Sequence, residues 1–275
     1  MTNLGLKKFL TINVWWIYFI LTLFISWPVW IAGDLLLPVG LRTVTLIIGA
    51  FGPFCAAVIL TRVTEGSDGL RHWFRMVFNF RIPLFWYLLG GILAPLLIAS
   101  VHHLIYLSVG GRSGIDFGPD WIGYFAYLIS TAILTGGNEE PGWRGYITPV
   151  LIKRFNVVAA QVVIGVFWAL WHLPMYITGD WGGDNQPLAW LIAYCIPLSV
   201  ILTWLFYNSR KSIIPVMLLH AGTNVVFRYF PMESDIFSSV ADDFTLIKTV
   251  VYWALALILL AATKGKLGYV PGQGT

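Results

Sequence analysis

Charge is what this chain has least of. Only 11% of its 275 residues are Asp, Glu, Lys or Arg, while 58% are hydrophobic. Soluble domains carry about 25% charged residues, so a water-facing globular surface cannot be covered from this stock. Cysteine is equally scarce. Cys55 and Cys195 both sit in apolar runs, which argues for small buried hydrophobes and against a disulfide or a thiolate nucleophile. CxxC and zinc-cysteine patterns are missing, and so are H-E-x-x-H and G-x-G-D. One G-x-S-G run, Gly111-Arg112-Ser113-Gly114, falls in a polar connection rather than at the head of an apolar helix. That position argues against a membrane-embedded serine nucleophile.

Long apolar runs are abundant. Windows of about 20 apolar residues mark candidate membrane helices. They predict an all-α polytopic membrane protein with about eight spans, near 10–33, 43–61, 83–107, 121–137, 157–176, 188–207, 213–230 and 245–263. The first run is too long for a secretory signal and lacks a small-residue cleavage site, so it reads as a retained helix. With no repeat, low-complexity tract or long linker, residues 1–275 read as one integral domain.

The charges that are present give an orientation. With the amino terminus inside, four of the 17 basic residues, Arg42, Arg112, Arg228 and Lys248, fall on outer connections, and 17 − 4 = 13 fall on inner ones. Nine of the 13 acidic residues lie outside. This bias obeys the positive-inside rule and predicts both termini in the cytoplasm of a bacterial-type plasma membrane. The basic stretch from Arg62 to Arg81 interleaves aromatics such as Trp73, Phe74 and Phe78, as an interfacial segment on an anionic leaflet would. The net charge of +4 therefore reports topology and not nucleic-acid binding.

Against this background Glu139, Glu140 and Arg144 stand out, in the run Glu139-Glu140-Pro141-Gly142-Trp143-Arg144-Gly145. Each ionised group at bilayer depth costs about 2.5–3.5 kcal/mol on insertion scales. The run begins with Gly136-Gly137-Asn138 and contains Pro141, so the helix should break here, with Asn138 or Glu140 as a cap. Irregular backbone in a bilayer must be buried in protein or line a wet cavity. Glu140 and Arg144 are four apart with the acid first, the favourable order for a pair, which leaves Glu139 as the candidate base.

Two further spans carry His172 and the pair His220 and Asn224. If residues 153–156 form a tight turn, Glu139 lies about 16 residues before it and His172 about 17 after it. Both would then sit about 25 Å along their helices. His220 and Asn224, four apart on one helix face, lie about 14 and 20 Å from Arg210-Lys211 by helical rise. The polar groups of three apolar segments thus overlap roughly in depth, to within several ångströms.

In this order, E-E-x-x-x-R, aromatic-x-x-x-H and H-x-x-x-N resemble the CPBP family, the CAAX-protease and bacteriocin-processing (Abi) intramembrane proteases. The motifs here are Glu139-Glu140 with Arg144, Trp168 with His172, and His220 with Asn224. The resemblance spans roughly 120–230 and departs at Trp168, where the family commonly has phenylalanine. It implies an intramembrane endopeptidase opening towards the cytoplasm and acting on a membrane-tethered peptide or lipidated protein. Glu139 and His172 would activate water, His220 and Asn224 would stabilise the oxyanion through neutral N–H donors, and Glu140 with Arg144 would support the framework. No cofactor is needed for that chemistry; a zinc ion, if present, would take Glu139, His172 and His220. The alternatives are a non-catalytic immunity or partner-binding protein of the same family, and a transporter built on broken helices, against which the lack of an inverted repeat weighs.

Overall fold

A computed structural model describes residues 3–112, 121–178, 188–230 and 243–272. Among them every regular element is helical. The first helix, α1 (Asn3–Leu36), is followed by α2 (Val39–Ala50) and α3 (Gly52–Val77). Next come α4 (Leu84–Ser108, with a π turn at Leu89–Leu93) and α5 (Trp121–Leu134). A 3-10 turn at Gly137–Glu139 leads into α6, the helical run 140–154. The chain continues as α7 (Val157–Trp171), α8 (Leu173–Thr178), α9 (Leu188–Asn208), α10 (Ile214–Val225) and α11 (Asp243–Ala262). The predicted all-α membrane architecture is the one observed.

The expected eight full spans resolve into five helices long and apolar enough to cross a membrane and three shorter ones. The five are Ile12–Leu36, Val39–Val77, Leu84–Ser108, Leu188–Asn208 and Phe244–Ala262. The spans expected at 121–137, 157–176 and 213–230 are helices α5, α7 and α10, of 14, 15 and 12 residues. Each is cut short where the motif residues lie: α5 stops before Gly136, α7 ends with His172 as its C-cap, and α10 passes into a 3-10 turn at Val226. Window averaging sees only apolar composition and runs through these breaks.

Two more details emerge. The stretch 62–81, expected as an interfacial segment, is mostly helix: α3 continues to Val77 past a kink at Gly66. Trp73 turns inward, where it is buried and donates its indole N–H to the carbonyl of Gly145 at 3.0 Å. Cys195 is buried as expected, whereas Cys55 is only half-buried; both are free thiols. Ser113 and Gly114 of the G-x-S-G run lie outside the described residues.

Packing brings the short helices to the centre. α9 lies between α7 and α11, α1 runs along α2 and α3, and α10 packs on α5 and on the π turn of α4. The anticipated turn between α6 and α7 is present, with the Asn156 side chain accepting the N–H of Ala159 at 2.9 Å to cap α7. Gly142 lets α6 meet α3 at backbone distance, since a Cβ there would sit 2.4 Å from the carbonyl of Pro53. Close approach through small residues is how membrane helices gain contact without a hydrophobic driving force. The basic end of the bundle gathers Arg154 over the ring of Trp15 at 5.4 Å and Asn208 on the carbonyl of Leu267 at 3.2 Å.

Candidate active site

The irregular segment between α5 and α6 positions the first motif. Gly136 has φ +155°, a conformation that disfavours side chains. Its N–H is taken by Asn138 Oδ1 at 2.8 Å. Asn138 therefore closes the turn before the helix, while neither Asn138 nor Glu140 makes the expected side-chain cap. Pro141 stands in the first turn of α6, where its missing N–H costs nothing. A π turn follows at Trp143–Ile147, a distortion that often marks functional sites, and Thr148 Oγ1 donates to the Trp143 carbonyl at 2.8 Å.

Glu139 is 4% exposed. Its Oε2 accepts two indole N–H groups, from Trp168 at 2.8 Å and from Trp143 at 3.2 Å, leaving Oε1 for the cavity. Glu140 is fully buried and serves two partners: Arg144 Nη1 lies 3.0 Å from Oε1 and 2.9 Å from Oε2, and His220 Nδ1 lies 2.8 Å from Oε1. The predicted Glu140–Arg144 pair is formed, and the spacing rule that found it could not foresee His220, which arrives from α10. Arg144 also lies over the Trp168 ring at 4.8 Å. A buried cation is thus matched by one carboxylate and an aromatic face.

His172 caps α7, with Nδ1 at 2.8 Å from the carbonyl of Trp168. A carbonyl only accepts, so Nδ1 carries the proton and Nε2 is the basic nitrogen. The ring packs edge-on against Trp171 at 4.6 Å and parallel to Trp30 at 6.4 Å. The same logic applied to His220 gives a different result. Because Nδ1–H is committed to Glu140, the neutral ring has no proton on Nε2 and cannot donate there. Only the imidazolium can, with the Glu140 carboxylate balancing its charge.

Glu139, His172, His220 and Asn224 line one cavity of about 350 Å³, walled by Trp168, Cys195, Thr223 and Lys248 among others. The structure therefore brings together the four motif residues expected to carry the chemistry. The expected opening towards the cytoplasm does not sit with cytoplasmic termini. The cavity follows the first turns of α9 and α11, through Leu191, Phe244 and Lys248. The basic end of the bundle is at the opposite ends of those helices. Among the described residues no group of three His, Cys, Asp or Glu side chains is gathered to hold a metal ion, so the zinc trio Glu139, His172 and His220 does not fit as arranged.

Trp143 and Trp168 were missed as functional partners. For Trp168 a signal was present: it occupies the position where the resembled family commonly has phenylalanine, and phenylalanine has no N–H to give Glu139.

A family model described as Type II CAAX prenyl endopeptidase Rce1-like matches residues 119–226, the stretch that contains the whole motif set. The chain is also 24% identical over 270 residues to CAAX prenyl protease 2 of Methanococcus maripaludis, an alignment covering 90% of this chain and 93% of that protein. Along nearly its full length, and over the segment that builds most of the cavity, this chain is similar to CAAX prenyl endopeptidases of the Rce1-like kind.

Proposed function

We propose that this protein hydrolyses a peptide bond near the C-terminus of a prenylated, membrane-tethered substrate, by a water that Glu139 and His172 activate. The carrying observation is that Glu139, His172, His220 and Asn224 line a single cavity. Similarity to a CAAX prenyl protease supports the substrate class. The bilayer delivers the lipidated substrate.

Glu139 Oε1 takes a proton from the water while Oε2 is held by the two indoles. His172, with its proton fixed on Nδ1, accepts the water's second hydrogen bond at Nε2 and orients the lone pair. The water oxygen bonds to the scissile carbonyl carbon, and the carbonyl oxygen becomes an oxyanion. Asn224 offers an amide N–H, and His220 offers Nε2–H in its imidazolium form, backed by Glu140. Preorganised donors of this kind each lower the barrier by about 2.7–4 kcal/mol. When the carbon–nitrogen bond breaks, the proton held by Glu139 passes to the departing amine. Arg144 holds Glu140 in place.

Cleavage of an S-prenylated peptide by the purified protein in nanodiscs tests the reading. Glu139→Gln and His172→Ala should each lower kcat by about 10²- to 10⁴-fold, and the wild-type rate should persist in chelator. Cleavage surviving both substitutions would remove the proposed site; loss of activity in chelator with recovery on adding zinc would replace the mechanism with a metal-dependent one.

A further inference from the structure

A second groove, of about 450 Å³, opens between α1, α3 and α6 at the basic end of the bundle and shares no lining residue with the catalytic cavity. Tyr146, Val150 and Lys153 line it from α6 at i, i+4 and i+7, a single helix face. Arg154 stands beside them, its guanidinium 5.4 Å from the ring centre of Trp15, and Glu65 lines the same groove from α3. Neither cation forms an ion pair with Glu65 or with another carboxylate among the described residues. Tyr146 is 7% exposed and its ring packs on Tyr18 at 5.4 Å, yet its hydroxyl has no hydrogen-bond partner among the described residues. Together with Glu65 and Lys153 it also lines an adjoining lobe of about 120 Å³. The positive bias of one end of a membrane protein accounts for the two cations. It does not account for a buried phenol without a bond, nor for a carboxylate in the same groove that leaves both cations unpaired; these call for a ligand.

We propose that this groove binds a membrane phospholipid with an amine-bearing headgroup: Lys153 and Arg154 take the phosphate, Glu65 takes the ammonium, and Tyr146 donates its hydroxyl to a lipid oxygen. Basic pockets between membrane helices receive lipid phosphates, and Glu65 narrows the choice among them. A purely anionic headgroup would set its charge against that carboxylate, whereas a phosphoethanolamine group meets both signs at once. A primary ammonium brings three N–H donors to the carboxylate; the trimethylated nitrogen of choline brings none. Ile12, Val14 and Val150 make the rest of the wall apolar, as the first methylenes of an acyl chain require. Seven residues of helix separate Tyr146 from Lys153, about 10 Å along the axis, which suits an elongated ligand and not a free phosphate ion.

Native mass spectrometry of the full-length protein in detergent tests this, by titration with dioleoyl phosphatidylethanolamine, phosphatidylcholine and phosphatidylglycerol. A charge-assisted hydrogen bond corresponds to about tenfold or more in affinity, so the wild type should hold the ethanolamine lipid at least that much tighter than the choline lipid. Equal affinity for the two, or tighter binding of the glycerol lipid, overturns the assignment, and neither result depends on a variant that must fold. Glu65→Gln should erase the preference for ethanolamine over choline. Lys153→Gln combined with Arg154→Gln should weaken both lipids by about tenfold or more, and Tyr146→Phe, which keeps the ring on Tyr18, should weaken them several-fold. Substitutions that leave binding and preference at wild-type values overturn the assignment. Soluble O-phosphoethanolamine should compete poorly for want of acyl chains; competition equal to that of the intact lipid would mark a site for a soluble ligand and overturn the lipid assignment.

Discussion

Replacing Trp168 by phenylalanine asks how the base is held. The indole N–H at 2.8 Å is the shorter of the two hydrogen bonds on Glu139 Oε2, and the Trp143 bond at 3.2 Å remains after the change. A hydrogen bond to a charged group contributes about 1.5–3 kcal/mol. The smaller ring leaves a void costing about 1 kcal/mol more, and it keeps an aromatic face for Arg144. Trp168→Phe should therefore destabilise the protein by about 2.5–4 kcal/mol and lower kcat with KM little changed, because Trp168 acts through Glu139 and not on substrate. The decisive assay is a double-mutant cycle with Glu139→Gln, read by unfolding in nanodiscs and by kcat. If the indole works through the carboxylate, the two changes couple by about 1.5–3 kcal/mol. Strict additivity, or a Trp168→Phe enzyme with wild-type kcat, would refute the reasoning.

Other perturbations follow from the same geometry. Glu140→Gln leaves Arg144 buried without its counter-charge and should cost about 3–5 kcal/mol in unfolding experiments, whereas Asp68→Asn, in an exposed pair with Arg71, should cost under about 1 kcal/mol. Gly136→Ala strains a backbone at φ +155° and brings a Cβ to 2.9 Å from Asn224 Nδ2 and 3.4 Å from His220 Nε2; it should abolish cleavage, while Gly40→Ala, which meets nothing within 4 Å, should leave it intact. Gly142→Ala forces α6 off α3 and should lower the yield of folded protein measured by size-exclusion chromatography. Finally, with the basic end in the cytoplasm, Phe244→Cys in a background lacking Cys55 and Cys195 should react with an impermeant maleimide from outside intact cells. Labelling only after permeabilisation would invert the orientation.

The fold class was legible because apolar length is a direct physical demand of the bilayer, and any stretch that meets it shows up in composition. The site was legible for a related reason: Glu139, Glu140, Arg144 and His172 cost too much in that setting to be incidental, and counting residues from the turn at 153–156 matched the depths of Glu139 and His172. Three things escaped. The shortness of α5, α7 and α10 did, because hydropathy does not register where a hydrogen-bonded ladder stops. The link from His220 to Glu140 did, because spacing rules describe one helix and this contact joins two. The inward turn of Trp73 and the hydrogen bonds of Trp143 and Trp168 did, because a tryptophan in an apolar run reads as bulk until its N–H has an address.

Trp168 grips Glu139 with its side chain and His172 with its main-chain oxygen. Twisting or sliding α7 by a single residue would carry the indole and the imidazole away from Glu139 in the same movement. A tilt of that one helix is therefore felt by the carboxylate and by His172 together, and neither can be shifted alone.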